Sequence, residues 1–157
     1  MEMELPMSEP PVEDVVGRRE RIEMAEEALR AMQTLPLRVL LVEDHAETAR
    51  LLSRLLEYSG HAVTTAGNVA SALRLAREGR FDIVVSDIGL PDGTGYDLMK
   101  RIRQECPIPG IALTGYGMGD DLQKSVEAGF ADHILKPIDA HQLEAVLSNV
   151  ARNHRKV

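Results

Sequence analysis

The 157-residue sequence predicts an α/β fold with a doubly wound, five-stranded parallel sheet, and three observations predict it. From Leu37 onward, short runs rich in Val, Ile and Leu alternate strictly with amphipathic stretches. Continuous apolar strands suit a sheet covered on both faces, and right-handed crossovers set a helix between successive parallel strands. Acidic and other polar residues gather just after the apolar runs, at the strand carboxyl ends, where open α/β sheets collect their ligands.

The first strand is "LRVLLVED", ending in acids. "ETARLLSRLLEYSG" follows as a helix: Ala49, Leu52, Leu55 and Leu56 share one face, and Gly60 stands where a left-handed terminating residue belongs. "HAVTTA" is the second strand. Asn68 caps the next helix, whose Val69, Ala72, Leu73 and Ala76 share a face until Gly79 stops it. "FDIVVSD" is the third strand, broken at once by Gly89, Pro91, Gly93 and Gly95. "YDLMKRIRQE" offers Leu98, Met99 and Ile102 to a core, and "PGIALTG" is a fourth short strand. "DDLQKSVEAG" reads as a polar helix and "FADHILKP" as the fifth strand. "DAHQLEAVLSNVARN" closes the domain, with Asp139 as N-cap and Leu143, Val146, Leu147 and Val150 as the buried stripe.

Composition narrows the function classes. A formal net charge of −7, no Trp and 3% aromatic residues leave no basic groove with stacking platforms, so nucleic-acid binding is not expected. The acidic, proline-broken start "MEMELPMSEPP" is unlike a signal peptide, and the apolar run "VLLV" is far below the ~20 residues a membrane span needs. No membrane insertion is expected, and the lone Cys106 points to a reducing, cytoplasmic compartment.

Residues 1–36 form an acidic extension with nine acidic against four basic side chains. Within it a helix is expected over about 12–33, where Val15, Ile22 and Leu29 recur every seven residues beside Ala25 and Met32. That stripe either packs or flexes as a linker, or it pairs with a second copy or a partner. The main domain is expected over 37–152, followed by a basic tail at 153–157. "ARNHRKV" is too short for an output domain, so output is expected through contacts.

Glu43 and Asp44 end the first strand, Asp87 the third, Thr114 the fourth, and Lys136 with Pro137 the fifth. Three acids at one rim repel one another unless a cation is present, and hard carboxylate oxygens suit Mg²⁺. A strand-end Asp beside such a metal has an oxygen available for attack on phosphorus. The glycine turn leaves Asp87 unshielded, while Lys136 and the Thr114 hydroxyl can hold the group that arrives.

"LLVEDH", "VVSDIGLPDGTGYDLM", "ALTGY" and "AGFADHILKP" resemble, in order and spacing, the four signatures of response-regulator receiver domains of two-component signalling. The resemblance covers roughly Leu37 to Val150. It implies a CheY-like sheet of order 2-1-3-4-5, a histidine kinase or phosphotransfer protein as donor, and a downstream target. That target would read the face formed by the fourth receiver helix, fifth strand and last helix. Asp87 matches the phosphoacceptor, Asp44 the direct Mg²⁺ ligand, Glu43 its helper through water, and the Gly89 carbonyl a backbone metal ligand. Thr114 matches the switch hydroxyl, Lys136 the family's lysine, and Pro137 a residue often joined by a cis peptide. Gly89 and Tyr116 stand where the family sets its hydrolysis rate.

One position departs from the pattern: His133 replaces the aromatic switch residue. It is either a half-buried or surface histidine without a switching role, or a titratable ring coupling Thr114 to the last strand differently. A stand-alone receiver is the expected function. The alternatives are a receiver module of a hybrid sensor kinase, a phosphate-independent scaffold, and an aspartyl-nucleophile phosphatase. The last resembles haloacid dehalogenases, which want a second Asp where this chain has Gly89.

Overall fold

The computed structural model describes residues 17–26, 36–115 and 121–155. The chain divides into two units, Met1–Gln33 and Thr34–Val157. In the first, helix α1 covers 17–26 and leaves Ile22 and Met24 exposed. The rest of the helix expected over 12–33, including Val15, Leu29 and Met32, lies outside the described residues, as does Tyr116.

The second unit is built on five parallel strands: β1 (Arg38–Val42), β2 (Ala62–Ala66), β3 (Ile83–Asp87), β6 (Gly110–Thr114) and β7 (Asp132–Leu135). Their order is β2-β1-β3-β6-β7, which is the expected 2-1-3-4-5 when only these strands are counted. Between them run α2 (Ala46–Tyr58), α3 (Val69–Glu78), α4 (Gly95–Glu105) and α5 (Asp121–Ala128), with α6 (Ala140–Arg155) last. The chain passes from β1 outward to β2 and then returns to β3 on the other side of β1. The carboxyl ends of β1 and β3 therefore flank the point where the winding reverses.

Strand alternation divides the core in two. Leu40, Val42, Val84 and Ala112 face one way, onto Ala72, Leu73 and Ala76 of α3 and Leu98, Met99 and Ile102 of α4. Val39, Leu41, Ile83, Val85, Ile111, Leu113 and Ile134 face the other way, onto Leu52 and Leu56 of α2 and Leu143, Leu147 and Val150 of α6. Each fully buried aliphatic side chain contributes ~1.5–3 kcal/mol relative to exposure. Those two layers hold the sheet rigid beneath its polar rim.

Helix ends follow the sequence signals. Asn68 caps α3 by accepting from the Ser71 amide, the Asp139 carboxylate accepts from the His141 amide at the start of α6, and Gly60 after α2 has φ +97°. The glycine turn, however, contains a hairpin that local periodicity did not indicate: β4 (Gly89–Leu90) pairs antiparallel with β5 (Gly93–Thr94) around Pro91 and Asp92. Two pairs are too few to leave an alternating pattern.

Candidate acidic site at the sheet rim

Each acidic side chain of the rim is delivered by a strand end. β1 runs out at Val42, so Glu43 and Asp44 follow it directly, and β3 ends on Asp87 itself. Neighbouring registers bring these ends level, since Val42 pairs with Ser86 and Asp87 with Leu113. Ligand oxygens of Glu43, Asp44 and Asp87 consequently lie within 4.8 Å of one another. Glu43 is buried, Asp87 half-buried and Asp44 exposed, so the trio opens outward through Asp44. A cleft of about 440 Å³ beside Glu43 and Asp44 is lined also by Arg50, Ser53 and Thr65.

Lys136 follows β7 and supplies the cation. Its Nζ donates to Asp87 Oδ2 at 3.0 Å and to Glu43 Oε1 at 3.3 Å. Asp87 Oδ1 accepts from the Ile88 amide at 2.8 Å, which fixes the plane of the carboxylate. Glu43 Oε2 accepts from the His45 amide at 3.2 Å. Burial pushes the Glu43 carboxyl above its ordinary value, and the negative charge of Asp87 adds to the rise against the opposing pull of the His45 amide and Lys136. Burial draws Lys136 down, but its hydrogen bond to Asp87 and the charges of Asp87 and Glu43 outweigh this and hold it above the usual lysine value. One lysine among three carboxylates leaves negative charge uncompensated, and an all-oxygen donor set of this kind fits a hard divalent cation.

Thr114 ends β6 and is buried, with its hydroxyl donating to the Ile134 carbonyl at a long 3.4 Å. His133 lies on the same sheet face but pairs with Ala112, two ladder steps before the Thr114–Leu135 pair. Its half-exposed ring sits with Nδ1 3.8 Å from Asp132. The Lys136–Pro137 peptide is cis. Gly89 begins β4, immediately after the Asp87–Ile88 step. Thus Glu43, Asp87 and Lys136 are joined by direct contacts, Asp44 completes the acidic group, and Thr114 is bonded instead to the neighbouring strand.

Two further residues shape this rim through contacts that sequence patterns did not indicate. Asp92, in the hairpin turn, bonds the first amides of α3 across 23 residues of chain. Gly95 begins α4 so close to β3 that a Cβ there would run into the Asp87 carbonyl oxygen. The glycine was legible as a turn signal, but its close approach to the acceptor was not.

The model of the response regulator receiver domain matches residues 39–148. Two-component response regulator ORR24 of Oryza sativa subsp. indica is 36% identical over 118 residues, covering 74% of this chain and 19% of that protein. The chain thus spans about a fifth of the length of this curated relative. A receiver domain protein (CheY-like) from Methanospirillum hungatei superposes with TM-score 0.73 at 25% identity, over 78% of this chain and 98% of that one. The receiver domain of sensor histidine kinase PA1611 from Pseudomonas aeruginosa, crystallised with magnesium in its active-site cleft, gives TM-score 0.69 at 28% identity over 75% and 99%. Strand order, the acidic rim and a family match across more than two thirds of the sequence agree: this chain belongs to the response regulator receiver domain family.

Proposed function

We propose that Asp87 accepts a phosphoryl group from a phosphohistidine on a histidine kinase or phosphotransfer protein, and that the resulting acyl phosphate alters a protein-binding face. The observation that carries this reading is the Asp87 carboxylate held between Lys136 and its own Ile88 amide, within reach of two further carboxylates. In the transfer, a carboxylate oxygen of Asp87 forms a bond to phosphorus while the phosphorus–nitrogen bond breaks and its electron pair returns to the imidazole. Lys136 already faces the acceptor and neutralises charge that builds on the phosphoryl oxygens. Glu43 and Asp44, with Asp87 and the Gly89 carbonyl, are the groups we assign to Mg²⁺. An ion bound there would supply charge neutralisation for the transfer.

Thr114 has little to lose by moving. An O–H···O bond at 3.4 Å is well beyond the usual 2.5–3.0 Å, so a phosphoryl oxygen with nearly two negative charges is the better acceptor. Release of the Ile134 carbonyl would loosen β7 beside α5 and α6, where Leu122, Val126 and Leu135 are exposed and available to a target. Of the two readings of His133, we take the half-exposed histidine without a switching role, since its ring lies beside Asp132. We read the protein as acting in the cytoplasm as a stand-alone receiver that promotes its own phosphorylation and dephosphorylation. Among the described residues no helix is long and apolar enough to cross a membrane.

The test is phosphorylation by a small-molecule donor with Mg²⁺, read by mass spectrometry, alongside beryllofluoride binding. Asp87 is expected to gain one phosphate, and Asp87→Asn to lose both signals. A protein that instead turns over phosphoesters without a stable adduct would be a phosphatase. Beryllofluoride binding that survives Asp87→Asn would refute the assignment.

A further inference from the structure

We propose that Asp92 is a positioning residue for the acceptor site: its carboxylate latches the β4–β5 hairpin to the amino terminus of α3 and so fixes the backbone of Gly89. This rests on the receiver reading, which gives the Gly89 carbonyl to the metal. The first amides of any helix lack partners within it. In α3 three of them are taken by two side chains. Asn68 Oδ1 accepts from Ser71 at 2.7 Å, while Asp92 Oδ1 accepts from Val69 at 2.7 Å and Asp92 Oδ2 from Ala70 at 3.0 Å.

The two caps differ in what they tie together. Asn68 belongs to the strand–helix turn it caps, whereas Asp92 reaches α3 from the hairpin that follows the acceptor. A carboxylate at a helix amino terminus is favoured by the helix dipole as well as by its hydrogen bonds. The same two bonds keep the Asp92 carboxyl below its ordinary value. Asp92 is exposed, so these bonds rather than side-chain burial hold it.

The hairpin needs such an anchor. Its ladder has only two residue pairs, and so short a ribbon is not stable by itself. Leu90 enters the core, and the Gly95 amide donates to the Ile88 carbonyl at 2.7 Å, which secures the two ends of the loop. Asp92 secures the tip. Gly93 beside it lies so close to α3 that an added Cβ would stand 3.3 Å from Val69 Cγ2. Loosening the tip would let Gly89 move relative to Asp87, and the donor set would lose its geometry while all three carboxylates remained.

The experiment compares full-length wild type, Asp92→Ala and Asn68→Ala by calorimetric titration with Mg²⁺ alone and by hydrogen exchange of the metal-free proteins. Removing groups that orient metal ligands typically weakens metal binding 10- to 100-fold, so Asp92→Ala should bind Mg²⁺ about tenfold more weakly. Segment 88–95 should also exchange faster. Asn68→Ala destabilises the same helix without freeing the hairpin. It should lower the melting temperature yet leave Mg²⁺ affinity within about twofold of wild type, since its cap does not reach the site. Unchanged Mg²⁺ affinity and exchange in Asp92→Ala, or an equal loss of affinity in Asn68→Ala, would overturn the latch alone. Wild-type protein that binds no Mg²⁺ would overturn the receiver reading and the latch with it.

Discussion

Glu43 carries the least favourable environment of any carboxylate described at the rim: it is buried beside the negative Asp87, and Lys136 is shared between them. That arrangement gives a definite sign to the pH dependence of the metal-free protein. With its folded value raised above the ordinary 4.5, Glu43 binds its proton more tightly in the native state than in the unfolded chain. Its contribution is therefore fully present below pH 4.5 and is lost as pH rises through the folded value. Glu43→Gln removes the charge and keeps one of the two acceptor oxygens that serve the His45 amide and Lys136. Thermal melts without metal should place this variant above wild type at neutral pH, with the gap closing toward pH 4.5, and added Mg²⁺ should stabilise wild type more than the variant. A gap that is constant with pH would mean that the burial of Glu43 costs nothing in its charged form.

At the scale of elements, the junction of β3 with α4 is where small size matters most. Gly95 begins α4 with its amide bonded to the Ile88 carbonyl, and an added Cβ would strike the Asp87 carbonyl and stand 3.1 Å from the Ile88 Cα. Both obstacles are backbone and cannot rotate away. Gly95→Ala should cost about 1–3 kcal/mol in urea unfolding, as overpacking does, and should weaken beryllofluoride binding because the acceptor backbone must shift. Gly89→Ala is the contrast: its Cβ would meet nothing within 4 Å, so its stability should stay within about 0.5 kcal/mol of wild type. Equal losses would show that close approach is not what the position demands. The same junction separates what was legible in the sequence from what was not. Strands announced themselves as continuous apolar runs and helices by a 3.6-residue period that repeats over whole elements, and Asp87, Glu43, Asp44, Thr114 and Lys136 were legible as strand ends. The β4–β5 hairpin, the Asp92 bonds to Val69 and Ala70, and the packing of Gly95 on Asp87 depend on contacts between separate segments, which no local pattern carries.

Over the whole molecule, two units differ in how they satisfy their apolar side chains. The receiver buries Leu, Val and Ile on both faces of its sheet, whereas α1 leaves Ile22 and Met24 exposed on a segment whose sequence carries Val15, Ile22 and Leu29 at heptad spacing. A lone helix of this length gains little stability from its own hydrogen bonds, and pairing with a second copy would cover the stripe. Opposing this, residues 1–36 carry nine acidic against four basic side chains, so two such segments repel each other until salt screens them. We therefore expect light scattering on the full chain to give a dimer whose fraction rises between low and physiological ionic strength, and Ile22→Glu to give a monomer at both. A wild-type monomer at every salt concentration, with and without beryllofluoride, would refute self-association through this helix. A dimer that survives Ile22→Glu but responds to beryllofluoride would place the contact on the receiver, beside exposed Leu122, Val126 and Leu135, where phosphorylation is proposed to act.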